Sequence, residues 1–127
     1  MELLMEIQIR IKGSQYMEGH TKNVCMIEFD GTATGPYFNG EVIGAGVDTQ
    51  KIEKDGPAFL SARYMLEGTD ADNNPCRLFI ENNGSDFDNC TPTIYTSSPL
   101  LADWETASLK AKVIPCEGGV IIEIYKL

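Results

Sequence analysis

Apolar and polar residues alternate one for one in several separate stretches of this sequence. The stretches run over residues 5–11, 25–29, 60–66, 76–80 and 107–113. A period of two places successive side chains on opposite faces of a β-strand, so each stretch predicts a half-buried strand. No stretch keeps the apolar spacing of an amphipathic helix over several turns. The alternation therefore predicts an all-β fold.

Turn signals separate the predicted strands at regular intervals. Asn39-Gly40 and Gly118-Gly119 favour tight hairpins, because both pairs adopt a positive φ at low cost. One short helix fits between Ser98 and Ala107, with the serine as its cap and Pro99 at its first position. Short strands at this spacing predict a meander that either closes into a small barrel or folds as a sandwich.

The last predicted strand differs from the others. Residues 120–127 are apolar on nearly both faces, which indicates that the outer face is covered as well. An exposed apolar stripe of this kind is typical of a contact surface, so we expect a homodimer. No linker or repeat divides the chain, and we expect a single domain over residues 1–127.

The charge balance limits the partners. Nineteen acidic residues against ten Lys and Arg give a net charge of −9, which repels phosphate backbones and anionic headgroups. No apolar run is long enough for a membrane helix, and the first residues lack the basic segment of a signal peptide. We therefore expect a cytoplasmic protein with free cysteines that binds neither nucleic acid nor membrane.

Two patterns resemble ligand sites without completing them. The acids from Asp70 to Glu81 have the spacing of a calcium loop, but Pro75 stands where the loop needs glycine. Gly44-Ala45-Gly46 begins like a dinucleotide motif, and a bulged strand is the simpler interpretation. The four cysteines form no CxxC pair and His20 is the only histidine, so we expect no metal and no cofactor.

Several phrases of the sequence are also familiar as a set. They are Gly35–Val42, Gly46–Asp48, Ala62–Gly68, Glu81–Gly84, Thr91-Pro92 and Gly118–Tyr125. In this order they make the chain similar, from about residue 3 onward, to the bacterial and fungal family called domain of unknown function 3237, or uncharacterised protein family 0311. The resemblance implies an antiparallel meander β-barrel of about eight strands, lipocalin-like in general shape, and leaves the function open. The motif positions that could line a pocket are Gly46, Asp48, Arg63, Tyr64, Asn82 and Gly84.

A barrel of this size can hold one small ligand, and binding is the first hypothesis for function. The ligand would be a small polar or anionic organic molecule at the mouth or in the interior of the barrel. Arg63 and Asp48 would anchor it, with Tyr64, Asn82 and Trp104 completing the site. The acidic excess lies mainly in predicted turns, which leaves room for a locally positive pocket around Arg63.

Two further hypotheses belong to other classes. The chain could be a cofactor-free acid–base enzyme such as an isomerase, lyase or cyclase, with Asp48 as the base and a tyrosine or His20 as its proton partner. It could also be a structural or oligomer-forming protein whose barrel is filled by its own side chains. The presence or absence of a cavity near Asp48 separates the third hypothesis from the first two.

Overall fold

A computed structural model of the chain describes all 127 residues and contains eight strands and one 3-10 helix. The strands are β1 Glu2–Glu18, β2 Lys22–Thr34, β3 Phe38–Glu53, β4 Ala58–Asp70, β5 Pro75–Gly84, β6 Cys90–Thr96, β7 Leu109–Cys116 and β8 Gly119–Lys126. Each strand is antiparallel to the next, and β8 pairs with β1 to close a barrel. The predicted meander barrel is confirmed.

The meander places alternate connections at opposite ends of the barrel. We call upper the end that carries the turns at residues 19–21, 54–57, 85–89 and 117–118, and lower the other end. The 3-10 helix Pro99–Glu105 lies in the connection between β6 and β7 at the lower end. Its Leu101 and Trp104 are buried in the same hydrophobic cluster as the barrel interior. The lower end is therefore closed by apolar packing.

The predicted alternation corresponds to the two faces of the barrel wall. In β4 the side chains of Tyr64 and Leu66 are buried, whereas Arg63, Met65 and Glu67 are exposed. Burial of one apolar set per strand supplies the main driving force for closure. Strand β1 departs from the pattern at its start, where a register shift near Leu3 lets two successive side chains turn inward.

The structure corrects one of the two predicted hairpins. Gly118 does form the turn between β7 and β8, with φ +78°. Asn39-Gly40 instead lies inside β3, after a turn at residues 35–37. The side chain of Asn39 folds back on that turn and donates a hydrogen bond of 2.9 Å to the carbonyl oxygen of Gly35. The side chain of Asn39 thus stabilises the preceding turn, and the backbone of Asn39-Gly40 continues as extended strand.

The wall of the barrel is weakest between β6 and β7. The two strands share a single ladder pair, Cys90 with Ala111. One further backbone bond of 3.1 Å, from the Val113 N–H to the carbonyl oxygen of Phe87, ties the upper loop to β7. We call this stretch the seam of the barrel.

The outer face of β8 is partly covered by the chain itself. Ile121, Glu123 and Tyr125 are half-buried, and the ammonium nitrogen of Lys112 lies 5.7 Å from the centre of the Tyr125 ring. The homodimer stays a prediction. All four cysteines are free thiols, and the structure contains no helix with the length and apolarity that a membrane crossing requires.

A buried carboxylate organises the lower end. Asp70 Oδ1 accepts hydrogen bonds from the backbone N–H groups of Asp72 at 3.0 Å and Asn74 at 3.1 Å. Its Oδ2 accepts a bond of 2.8 Å from the hydroxyl of Ser98, which makes no capping bond to the helix that it precedes. These donors hold the pKa of Asp70 below its ordinary value, and the hydroxyl of Ser98 has the largest effect. The carboxylate of Asp70, the last residue of β4, therefore stabilises the turn between β4 and β5.

We expect Asp70→Asn to destabilise the barrel in a pH-dependent way. The lowered pKa of Asp70 means that the carboxylate stabilises the fold above its unfolded pKa of about 3.9, and that this contribution is lost as the pH falls through the lower folded pKa. The melting temperature of the variant should lie below that of the wild type at neutral pH, and the gap should narrow toward about pH 2. Asp72→Asn is the control, because its side chain is exposed, and an equal loss in both variants would contradict this role for Asp70.

Candidate functional site

The upper half of the barrel contains a cavity of about 120 Å³. Fourteen residues line it, and eleven of them are hydrophobic. The hydrophobic lining consists of Ile9, Ile11, Ile27, Phe29, Leu60, Ala62, Phe87, Cys90, Val113, Val120 and Ile122. Ile11 and Phe87 are also exposed, so the cavity reaches the surface at the upper end. Its three polar lining residues are Asp48, Gln50 and Asn82.

The strand register explains how Asp48 and Asn82 come to face the same space. Asp48 of β3 pairs with Ala62 of β4, and Ala62 pairs in turn with Asn82 of β5. Residues paired across neighbouring strands point to the same face, and two strand spacings place β3 and β5 roughly 10 Å apart. Because the residue between them is alanine, no long side chain fills the gap.

Asp48 presents one free oxygen in this apolar setting. Its Oδ2 accepts a hydrogen bond of 3.1 Å from the Gln50 amide, whereas its Oδ1 is buried and has no hydrogen-bond partner. Burial raises the pKa of Asp48, although the hydrogen bond from the Gln50 side chain acts in the opposite direction. A carboxyl group in this state can accept a hydrogen bond, release a proton or take one up.

Asn82 and Tyr64 each contribute another buried polar atom without a partner. Asn82 is 6% exposed and its Oδ1 makes no hydrogen bond. Tyr64 is 3% exposed and its hydroxyl is likewise unpaired. Burial raises the pKa of Tyr64, so the phenol stays neutral. An unpaired polar atom in an interior is costly. Two such atoms, Asp48 Oδ1 and Asn82 Oδ1, belong to residues that line this cavity, which marks it as a candidate binding site.

The floor of the cavity depends on a glycine. The ring of Phe29 lines the cavity and meets the Tyr64 ring edge to face, with 5.3 Å between the centroids. Gly46 lies directly behind Phe29, since a Cβ placed there would come within 2.4 Å of the ring. The bulge that begins at Gly44, with φ +65°, brings this stretch of β3 into position. The bulged-strand interpretation of the glycine motif thus describes the structure.

Cys90 lines the cavity as a neutral thiol. Its Sγ donates a hydrogen bond of 3.0 Å to the carbonyl oxygen of Asp86. Burial raises the pKa of the Cys90 thiol, and the charges of Asp86, Asp48 and Asp88 raise it further. Nucleophilic chemistry needs the thiolate, so this environment disfavours it.

Three predicted site residues lie away from the cavity. Arg63 points outward from β4, 65% exposed at its side chain, and forms an ion pair of 3.1 Å with Glu81. Trp104 lies at the lower end, where its ring meets Tyr37 with 5.9 Å between centroids. His20 is exposed in the turn between β1 and β2. The prediction of a locally positive pocket around Arg63 is therefore wrong, because the lining of the cavity includes no Lys, Arg or His.

The remaining predicted positions lie closer to the cavity. Asp48 and Asn82 line it, and Tyr64 lies behind Phe29. Gly84 lies at the end of β5, where a Cβ would come within 2.3 Å of the Asn89 carbonyl oxygen, and it does not line the cavity.

Sequence reasoning missed Gln50 and Phe87, and only Gln50 carried a signal that could have placed it. Gln50 follows Asp48 by two positions in one strand, so the period of the strand places both on the same face. Phe87 is a lone aromatic in the polar turn at residues 85–89, and such a residue has no periodic pattern to place it.

The chain is similar to proteins of one family. A family model described as "Protein of unknown function (DUF3237)" matches residues 1–91. A UPF0311 protein of Clostridium acetobutylicum is 41% identical over 54 residues, which cover 42% of this chain and 32% of the relative. The chain therefore spans about a third of the length of that curated relative.

Solved structures share the fold at lower identity. A protein of unknown function from Clostridium acetobutylicum superimposes with a TM-score of 0.83 at 24% identity, over 99% of this chain and 97% of that one. A β-barrel-like protein from Acinetobacter baumannii gives 0.81 at 18%, over 98% and 93%. A protein from Penicillium herquei, described as an enzyme, gives 0.78 at 16%, over 98% and 91%.

We expect Gly46→Ala to disturb the cavity floor. The added methyl group would force the Phe29 ring to move, and overpacking of this kind costs about 1–3 kcal/mol. Chemical denaturation should show that loss in the free energy of unfolding. Gly13→Ala is the control, because a Cβ at Gly13 has nothing within 4 Å. Equal stability of the two variants would show that Phe29 does not depend on Gly46.

We expect Asp48→Asn to stabilise the empty barrel at neutral pH. The folded pKa of Asp48 is raised, so both states are protonated below the unfolded pKa of about 3.9. The penalty on the fold grows as the pH rises from there to the folded pKa and stays constant above it. The variant should therefore melt above the wild type at neutral pH, with the difference shrinking toward about pH 3. Asp55→Asn, in an exposed turn, should show no such trend in the same pH series.

Proposed function

This chain belongs to the DUF3237 family, and we propose that its barrel binds one small, largely apolar molecule in the upper cavity. A polar group of that molecule would hydrogen-bond to Asp48. The observation that carries the proposal is the free oxygen of a buried carboxyl group inside a mostly hydrophobic cavity. Pockets of this composition are typical of small-molecule sites, where apolar walls supply affinity and a few polar groups fix orientation.

The size of the cavity supports a ligand built around a single ring or a short chain. An apolar cavity of about 150 Å³ is large enough for benzene, and the present one measures about 120 Å³ with an opening at its upper end. A substituent could extend through that opening between Ile11 and Phe87, both of which are exposed lining residues.

The charge of the lining argues against an anionic ligand. Asp48 is the only carboxyl group among the lining residues, and they include no basic side chain to balance it. An anion would have to enter an apolar space beside a carboxylate, which costs both desolvation and repulsion. The ligand is therefore neutral or cationic.

Acid–base catalysis on the bound molecule is the second candidate function. The raised pKa of Asp48 and its free oxygen favour it, because a general acid or base works best with a pKa nearer to the operating pH. The structure from Penicillium herquei is described as an enzyme, and that likeness is one of fold. A substrate converted by the wild type and bound but unconverted by Asp48→Asn would support catalysis.

Two small alcohols and a variant whose side chain fills the cavity test the binding proposal. Benzyl alcohol and cyclohexanol, followed by calorimetry and thermal shift, should bind the wild type saturably and raise its melting temperature. Ala62→Leu should abolish this, because its side chain occupies the space between Asp48 and Asn82. Ala102→Leu, on the exposed side of the 3-10 helix, is the matched control and should bind normally. The absence of saturable binding to the wild type, or equal binding by Ala62→Leu, would refute the proposal.

A further inference from the structure

The polar atoms that the cavity leaves unpaired are oxygens. Asp48 Oδ1 and Asn82 Oδ1 are both buried without a hydrogen-bond partner, and both side chains line the cavity. A carboxylate withdrawn from water needs a counter-ion or a full set of donors. Gln50 supplies one donor, to Oδ2. The chain therefore leaves Asp48 Oδ1 without a donor, and it places no positively charged side chain in the cavity lining.

The rim of the cavity is acidic as well. Asp86 and Asp88 flank Phe87 in the upper loop. The carbonyl oxygen of Asp86 accepts the hydrogen bond of 3.0 Å from Cys90 Sγ, so this loop lies against the cavity wall. Both carboxylates also raise the pKa of the Cys90 thiol. With a net charge of −9 on the chain, the potential at this entrance attracts cations and repels anions.

The number of acceptors distinguishes an amine from an alcohol. Asp48 and Asn82 extend into the cavity from the same rung, on either side of Ala62. An ammonium group carries three N–H donors, whereas a hydroxyl group carries one. A hydrogen bond with charge on both donor and acceptor is also about twice as strong as a neutral one.

We propose that the ligand of this cavity is a small apolar primary amine, bound as its ammonium ion by Asp48 and Asn82 with its hydrocarbon part against the hydrophobic wall. This inference rests on the proposed function and narrows it to one class of ligand. The ammonium ion supplies the missing counter-ion of Asp48.

The protonation state of Asp48 controls this binding. Cys90 from β6 and Tyr64 from β4 are the other titratable groups in this part of the interior, and both stay neutral because their pKa values are raised. Strands β1, β2, β7 and β8 contribute only apolar side chains to the lining. The affinity for an amine should therefore fall as the pH drops through the folded pKa of Asp48, which lies above its ordinary value.

Three molecules of one shape test the inference. Benzylamine, benzyl alcohol and benzoate differ mainly in the charge and donor number of one substituent. Isothermal titration near neutral pH should show benzylamine binding about tenfold or more tightly than benzyl alcohol. Benzoate should not bind. On acidification the affinity for benzylamine should decline while that for benzyl alcohol changes little.

Two variants of equal charge change provide the control. Asp48→Asn should reduce the preference for benzylamine over benzyl alcohol to within about threefold, because the amide oxygen carries no charge. Asp103→Asn, at the lower end beside Lys126, should keep the full preference. This comparison separates a direct contact from the effect of net charge alone.

Each result has a distinct meaning. Benzyl alcohol binding as tightly as benzylamine, or benzoate binding to the wild type, overturns the amine inference and leaves a small-molecule cavity in place. A preference that survives in Asp48→Asn, or disappears in Asp103→Asn, also overturns it. If none of the three molecules binds saturably, the inference and the proposed function fail together.

Discussion

Eight strands enclose an interior that side chains can only just fill, and side-chain size along each strand decides where room remains. In the lower half Phe38, Leu66 and Leu78 are fully buried, and Trp104 completes the packing from outside the strands. In the upper half the rung through Ala62 has a methyl group at its centre. The cavity thus results from the order of large and small residues in an otherwise regular barrel.

The polar residues of that rung reduce the stability of the barrel, and the proposed ligand would supply the hydrogen-bond partners that they lack. An apolar side chain at position 48 or 82 would avoid a raised pKa at Asp48 and two unpaired oxygens. Native folds depart from such rules mainly at functional sites. Asp48 and Asn82 lie on one wall of one cavity and each has an unpaired oxygen, whereas Asp70, the buried acid at the lower end, is fully provided with donors.

Strands β1, β2, β4, β5 and β7 were predictable because each has one face toward solvent and one toward the interior, which gives the sequence a period of two. Strands β3 and β6 lie outside the alternating stretches, and β8 is apolar on nearly both faces. The same period places Arg63 on the other face of β4 from Ala62 and Tyr64, so its outward direction was predictable. The prediction of Arg63 as a ligand anchor overlooked this alternation. The position of Trp104 was not predictable in this way. It depends on how a long connection docks against the barrel end, which no local pattern encodes.

The seam between β6 and β7 has a consequence for association between chains. A closed barrel has no free edges, but a wall held by one ladder pair is where edges would first appear. Each of these strands contains a proline, Pro92 in β6 and Pro115 in β7. Proline cannot donate a ladder hydrogen bond, and natural sheets use it to make edge strands poor templates for other chains. If the seam opened, the prolines of β6 and β7 would make these two strands poorer templates for other chains.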